Sequence, residues 1–252
     1  MRWGMTIDLG RCTGCYGCVL ACKQEHSTPT GIHFRRMMFE EVGQYPAARR
    51  LHAPVQCNHC AEPPCVPVCP TKATYQRQDG LVLVDADVCI GCGYCMTACP
   101  YEHRHFVEDK LEHFDSGLTP HEQAGGEAGH DWQAKRDTVV KCTFCEHRLA
   151  RAEGTGLKPG VDREVTPACV ITCPADAMTF GDLNDPGSKI SRLIDDTRPD
   201  IVHCHNIYHQ LTPSIIGAVD EFPPKPVARS NRKAGKPLMA LWATKRADSP
   251  VP

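Results

Sequence analysis

Sixteen of the seventeen cysteines in this 252-residue chain fall into four groups of four with narrow, fixed spacings. The first is Cys12-x2-Cys15-x2-Cys18-x3-Cys22, and the second is Cys57-x2-Cys60-x4-Cys65-x3-Cys69-Pro70. The third is Cys89-x2-Cys92-x2-Cys95-x3-Cys99-Pro100, and the fourth is Cys142-x2-Cys145-x23-Cys169-x3-Cys173-Pro174. Aromatic residues make up only 6% of the chain, so its hydrophobic core is expected to be thin for its length. A fold with a thin core needs covalent or metal staples. Thiols at these spacings can supply them.

Disulfides are a poor reading. Met1-Arg2-Trp3-Gly4 leads almost directly into the first group with no secretory signal peptide, so an oxidising compartment is not indicated. Neighbouring Cys-x2-Cys pairs also suit a metal better than bridges along the chain. Zinc closes with two such pairs and has no use for a third cysteine two residues on. The first and third groups instead match the bacterial ferredoxin run, in which three close thiolates hold one cube and the fourth reaches another. Four groups imply four [4Fe–4S] clusters and single-electron transfer. Gly14, Gly17, Gly91 and Gly93 are expected at positive φ, where backbone can approach sulfur. Pro70, Pro100 and Pro174 should turn the chain away after the closing cysteine, whereas Cys22 is followed by Lys23. Tyr16 and Tyr94 are expected to shield cluster edges from water. Cys204, within His203-Cys204-His205, is not expected to be a ligand.

The groups repeat in two ways. At an offset of 77 residues, Ile7-Asp8 and the first group lie against Val84-Asp85 and the third, with a glycine and all four cysteines coinciding. The end of the second group, Pro63-Pro64-Cys65 to Pro70-Thr71-Lys72-Ala73, lies against Pro167-Ala168-Cys169 to Pro174-Ala175-Asp176-Ala177 in the fourth. An opener and a closer thus alternate twice, as in a doubled two-cluster ferredoxin. The expected fold is α+β: two ferredoxin-like modules of short strands and helices, with a loop insert and an extended tail. One module comprises 1–50 with 137–200, and the other 51–105. A polar insert follows at 106–136, and a C-terminal extension at 201–252.

Strands are expected over Ala73–Arg77 and Leu81–Val84 around a turn at Asp79-Gly80. A short helix should begin between the third and fourth cysteine of each group and, in three of the four, stop at the following proline. Pro186–Asp196 reads as an amphipathic helix, with Ile190, Leu193 and Ile194 on one side and Asp185 as its N-cap. The region between Tyr101 and Lys141 carries His103, His105, His113, His121 and His130 and reads as a solvated surface loop.

The formal charge of −2 gives no basic excess, which disfavours nucleic-acid binding. No apolar run approaches the roughly 18 residues of a membrane span, so the chain is expected to be soluble by itself. There is no dinucleotide glycine fingerprint and no phosphate-cradling loop. The chain is therefore expected to have no catalytic site of its own.

Cys57-Asn58-His59-Cys60, Asp87-Val88-Cys89-Ile90-Gly91-Cys92, Lys141-Cys142-Thr143-Phe144-Cys145 and Pro167-Ala168-Cys169 carry a resemblance. The chain resembles the four-cluster iron–sulfur subunits of dimethyl sulfoxide reductase-type molybdenum oxidoreductases, from Gly4 to about Asp196. The opening and Gly181–Pro186 are most similar to arsenate-reductase-like members. The resemblance implies one cluster on Cys12, Cys15, Cys18 and Cys173 and its partner on Cys22, Cys142, Cys145 and Cys169. It implies a second pair, on Cys57, Cys60, Cys65 and Cys99, and on Cys69, Cys89, Cys92 and Cys95. It further implies a molybdenum bis-pterin catalytic subunit as partner, with a membrane-quinone or soluble partner beyond and an anchor subunit in some relatives. Such prokaryotic subunits are exported with a signal-bearing partner or remain cytoplasmic. The tail from Phe222, proline-rich and basic, is expected to dock on a partner. Two alternatives stand beside this reading: a free polyferredoxin, and a zinc-stapled interaction scaffold.

Overall fold

The computed structural model describes residues 1–197, 201–202 and 238–241. In chain order its elements begin with β1 (Trp3–Asp8), α1 (Gly17–His26), β2 (Arg35–Val42), β3 (Arg49–Gln56), β4 (Thr74–Gln76), β5 (Val82–Val84) and α2 (Tyr94–Thr97). There follow β6 (His105–Phe106), α3 (Pro120–Gln123), β7 (Val139–Val140), α4 (Glu146–Arg151), α5 (Ala168–Ile171), β8 (Met178–Asp182), α6 (Lys189–Thr197), β9 (Ile201–Val202) and β10 (Leu238–Leu241). Short strands and short helices are mixed throughout, as an α+β chain requires.

The sheets reproduce the sequence repeat. In β1 and β8, Ile7 stands opposite Met178, Thr6 opposite Thr179 and Met5 opposite Phe180. In β4 and β5, Val84 stands opposite Thr74, Leu83 opposite Tyr75 and Val82 opposite Gln76. Shifting β1 by 77 residues, the spacing of Cys12 and Cys89, and β8 back by 104, the spacing of Cys69 and Cys173, turns one set of pairs into the other. The opener of the first group therefore pairs with the closer of the fourth, and the opener of the third with the closer of the second. The β4–β5 turn is held by Asp79, whose Oδ1 accepts from the backbone N–H of Leu81 at 3.2 Å.

β1 is central in a four-stranded sheet of order β8-β1-β10-β9. Met5, Thr6 and Ile7 are all buried, as expected of a strand covered on both faces. Trp3 stacks on Phe180 at 5.5 Å between ring centroids, and Phe180 meets Phe144 edge-on. β10 pairs antiparallel with β1 along Met5–Asp8 and parallel with β9, so both described strands of the C-terminal extension belong to the sheet. Cys204 and nearly all the rest of that extension lie outside the described residues.

Helices run through three of the four groups, each starting one residue before the third cysteine instead of after it, but the second group makes only turns. Its Pro67 has no N–H to donate and pushes Val66 away from helical backbone. α1 runs on past Cys22 to His26, because Lys23 stands where the other groups carry proline. α6 starts at Lys189, later than expected, and Ser188 acts as its N-cap, its Oγ accepting from the N–H of Ser191 at 3.1 Å. Asp185 instead holds the preceding turn, accepting from the N–H of Gly187 at 2.8 Å. Ile190 is fully buried against the sheet.

The insert is not a solvated loop. Val107, Leu111, Trp132 and His103 are buried. The insert also clasps the end of α1: Trp132 Nε1 donates to the carbonyl of His26 at 3.0 Å, and the N–H of Ala128 donates to the carbonyl of Glu25. The reason is local: α1 ends in left-handed backbone at Ser27, and its last carbonyls need donors.

Candidate metal centres

Each opener loop, that of the first group and that of the third, is launched by an aspartate at or just after the end of a strand. Asp8 Oδ1 accepts from the N–H groups of Gly10 and Arg11 at 2.9 and 3.1 Å, and Asp85 Oδ1 accepts from that of Asp87 at 3.0 Å. The same aspartates tie opener to closer. The N–H of Asp8 donates to the carbonyl of Ala177 at 2.7 Å, and that of Asp85 to Ala73 at 2.8 Å. Ala73 and Ala177 are equivalent residues of the two closers, as are Lys72 and Asp176, both at positive φ.

Gly14 and Gly91 take φ values of 68° and 67°, and a side chain at either would collide with His52 or with the carbonyl of Asp137. Gly17 does not take positive φ. Tyr16 does, at 61°, in the place that Gly93 fills at 73° in the other copy. Tyr16 and Tyr94 stand at the surface of these loops.

None of the sixteen grouped cysteines is in a disulfide. Cys12, Cys15, Cys18 and Cys173 line one pocket, and Cys12 is raised by burial and by its neighbours Cys18, Cys173 and Cys15. Cys22 is pushed well up by burial and then by Cys142, Cys169 and Cys145. Cys60 rises to about 12 through burial and the nearby Cys57, Cys65 and Cys99. In the remaining set Cys95 faces Cys89, while Cys69 lies beside Thr71 and Thr74, and Cys92 is exposed.

Crowded, buried thiols resist ionisation on their own. A cationic iron core removes that resistance, because a coordinating thiol is deprotonated by the metal. Donors for sulfur are already in place: the N–H groups of Thr74, Phe144 and Ala177 lie 3.4, 3.4 and 3.3 Å from the sulfurs of Cys69, Cys142 and Cys173. His26 Nε2 lies 3.6 Å from Cys145 Sγ, and its Nδ1 lies 2.9 Å from Nε2 of His130. Burial holds both imidazoles below their ordinary pKa, and so neutral. With a thiolate accepting from Nε2–H of His26, Nδ1 accepts from His130. The residues present fit iron–sulfur clusters.

Two further pairs of electrostatic neighbours cross these groupings. Cys18 neighbours Cys169, and Cys57 neighbours Cys142. His59 and Phe144, equivalent residues of two Cys-x2-Cys loops, pack with ring centroids 4.1 Å apart.

Three residues beside the thiols escape the reading of the sequence: His26, whose match to His103 at the 77-residue offset is the signal that could have found it, and Arg35 and Arg104, which have no counterpart in the repeat. Arg35 is buried and donates to Gln56 Oε1 at 2.7 Å and to the sulfurs of Met178 and Met5 at 2.7 and 3.0 Å. Burial opposes its charge, but Cys169, Cys18, Cys142 and Cys22 hold its pKa above the ordinary arginine value. Arg104 is likewise opposed by burial and supported by Cys65, Cys95 and Cys57.

Residues 48–116 match the family model of the 4Fe-4S dicluster domain. The chain is 39% identical over 216 residues to the arsenate respiratory reductase iron–sulfur subunit ArrB of Shewanella sp., covering 77% of this chain and 87% of that protein. The chain belongs to the iron–sulfur subunits of dimethyl sulfoxide reductase-type molybdenum oxidoreductases. It is also similar to a putative dimethyl sulfoxide reductase iron–sulfur subunit of Halobacterium salinarum, 40% identical over 77% of this chain and 71% of that protein. A tetrathionate reductase subunit of Salmonella typhimurium is 38% identical over 77% of this chain and 63% of that one. As an iron–sulfur subunit the chain transfers electrons within a reductase complex and is not itself the catalyst. Among the described residues no helix is long and apolar enough to cross a membrane.

Proposed function

We propose that this subunit is a fixed conduit of four [4Fe–4S] clusters between a molybdenum bis-pterin catalytic subunit and a quinone-linked membrane anchor or soluble redox partner. The proposed ligand sets are Cys12, Cys15, Cys18 and Cys173; Cys22, Cys142, Cys145 and Cys169; Cys57, Cys60, Cys65 and Cys99; and Cys69, Cys89, Cys92 and Cys95. In this reading 1–50 with 137–200 form one ferredoxin-like module, and 51–105 form the other. The single observation that carries it is the shared strand register, which joins the first opener to the fourth closer and the third opener to the second closer. The dicluster match supports the same pairing, since 48–116 contains all eight cysteines of the second and third groups.

When bound, each cluster accepts and releases one electron at a time. The protein holds the thiolates, supplies N–H donors to sulfur and keeps water from the buried sets. Cys18 is an electrostatic neighbour of Cys169, and Cys57 of Cys142, which supports a path from the first set through the second and third towards the fourth. The compartment follows that of the catalytic partner, by co-export or by retention in the cytoplasm. The C-terminal extension serves as a docking arm beyond the residues that complete the sheet.

Anaerobic purification followed by iron analysis tests the reading: a brown chain with about four irons per cluster is expected. A colourless, zinc-loaded chain would overturn it. Elution of the native protein at the mass of a single chain would instead favour a diffusing polyferredoxin.

A further inference from the structure

Two buried arginines have no ordinary reason to be where they are. Arg35 is 2% exposed and Arg104 5%, and neither makes an ion pair with a carboxylate among the described residues. A guanidinium is charged at every relevant pH, and an uncompensated buried charge is strongly destabilising. The partners they do have are neutral. Arg35 is satisfied by an amide and two thioethers, and thioethers are weak acceptors. Arg104 Nη1 donates to Thr74 Oγ1 at 3.2 Å, while its Nη2 is buried with no hydrogen-bond partner. An apolar side chain of similar volume would pack either place at lower cost, so a purely structural role explains neither residue.

Their positions relative to the thiols supply the missing counter-ions. Arg35 neighbours Cys18 of the first set and Cys22, Cys142 and Cys169 of the second. Arg104 neighbours Cys57 and Cys65 of the third set and Cys95 of the fourth. Each arginine therefore straddles one pair of sets. They are not copies of one ancestral residue: Arg35 opens β2, opposite Gln56 in β3, while Arg104 immediately precedes β6. Two unrelated segments bring the same charge to equivalent places.

We propose that Arg35 and Arg104 are built-in countercharges, one to each cluster pair, which raise the reduction potentials of the two clusters they face. The proposal rests on the ligand sets given above. A cluster with four thiolates is anionic and gains one further negative charge on reduction, and net charge and nearby donors set its potential. A fixed cation therefore favours the reduced form. Placed between two clusters, it raises both together and keeps neither far below the other.

The test is a redox titration followed by electron paramagnetic resonance on the cluster-loaded subunit in its complex, with signals assigned through Cys12→Ser and Cys99→Ser. Arg104→Met is expected to shift the oxidised-to-reduced ratio of the third and fourth clusters at least tenfold towards oxidised, a fall of about 59 mV for a one-electron couple. The first and second clusters should stay in place. Arg35→Met should do the reverse, and Arg→Lys at either position should restore most of the shift. Unmoved potentials in a fully loaded Met variant, or equal shifts in the Met and Lys variants, would overturn the proposal. If the Met variants fail to load iron, loading of the Lys variant alone upholds the need for charge, and failure of both refutes it. A shift that follows the arginine but falls on a different pair of signals would leave the countercharge role standing and refute the ligand sets instead.

Discussion

His26 shows how much one side chain can carry. It ends α1, its ring is buried against Phe34 and His130, and its Nε2 is aimed at Cys145 Sγ. A hydrogen bond to a charged acceptor contributes about 1.5 kcal/mol, so replacing His26 by Phe should lower the potential of the cluster that includes Cys145 by several tens of millivolts. Gln should retain part of the effect, and titration of that one signal decides between them. Cys99→Ser makes a sharper prediction. It should cost the cluster held by Cys57, Cys60 and Cys65, with that of Cys89, Cys92 and Cys95 surviving in iron content and spectrum. Damage confined to the latter cluster would show that the last cysteine of the third group serves its own loop.

Between elements, a buried ion pair joins α1 to α4. Glu25 of α1 accepts from Arg148 Nε at 2.6 Å and Nη2 at 2.7 Å, and lies 2.7 Å from His147 Nε2. Burial works against the carboxylate, but His147 and Arg148 draw its pKa down to about 2. A depressed carboxylate stabilises the fold above its unfolded value, and that contribution is lost as pH falls from about 4.5 through about 2. Glu25→Gln should cost about 3 kcal/mol near neutrality, because it leaves Arg148 without its partner. In anaerobic denaturant titrations the deficit should be constant down to about pH 5 and shrink only below that. Ile190→Ala, which opens a hole between α6 and β8, should cost about 3 kcal/mol with iron content unchanged. At this scale the sequence was legible where it repeats. β4, β5, Asp8, Asp85 and the two closers could all be placed from the offsets. The β2–β3 hairpin could not, because Met38 and Phe39 are adjacent and both exposed, which erases the alternation that marks a strand. Arg35 and Arg104 were hidden for a related reason: neither has a counterpart in the other copy, whereas His26 matches His103 at the 77-residue offset and could have been found there.

For the molecule as a whole, β10 changes what the tail must be credited with. Leu238–Leu241 lies along β1, so truncation after Glu221 should strip one neighbour from the central strand as well as any docking arm. Loss of complex assembly in that variant would support docking only if the isolated chain kept its iron and its unfolding midpoint. Unchanged assembly would remove the docking role.

The pairing of β1 with β8 has a consequence in time. Trp3–Asp8 leaves the ribosome early but cannot find its partner strand until Met178–Asp182 has been made, whereas Thr74–Gln76 and Val82–Val84 are complete almost together. The inner unit is nested inside the outer one like a bracket within a bracket. Synthesis therefore favours maturing the inner pair of sites first, while the open thiols at Cys12–Cys22 wait. A nascent chain halted near residue 137 should load iron at the inner sites alone, and the outer pair should be the more exposed to oxidation during synthesis.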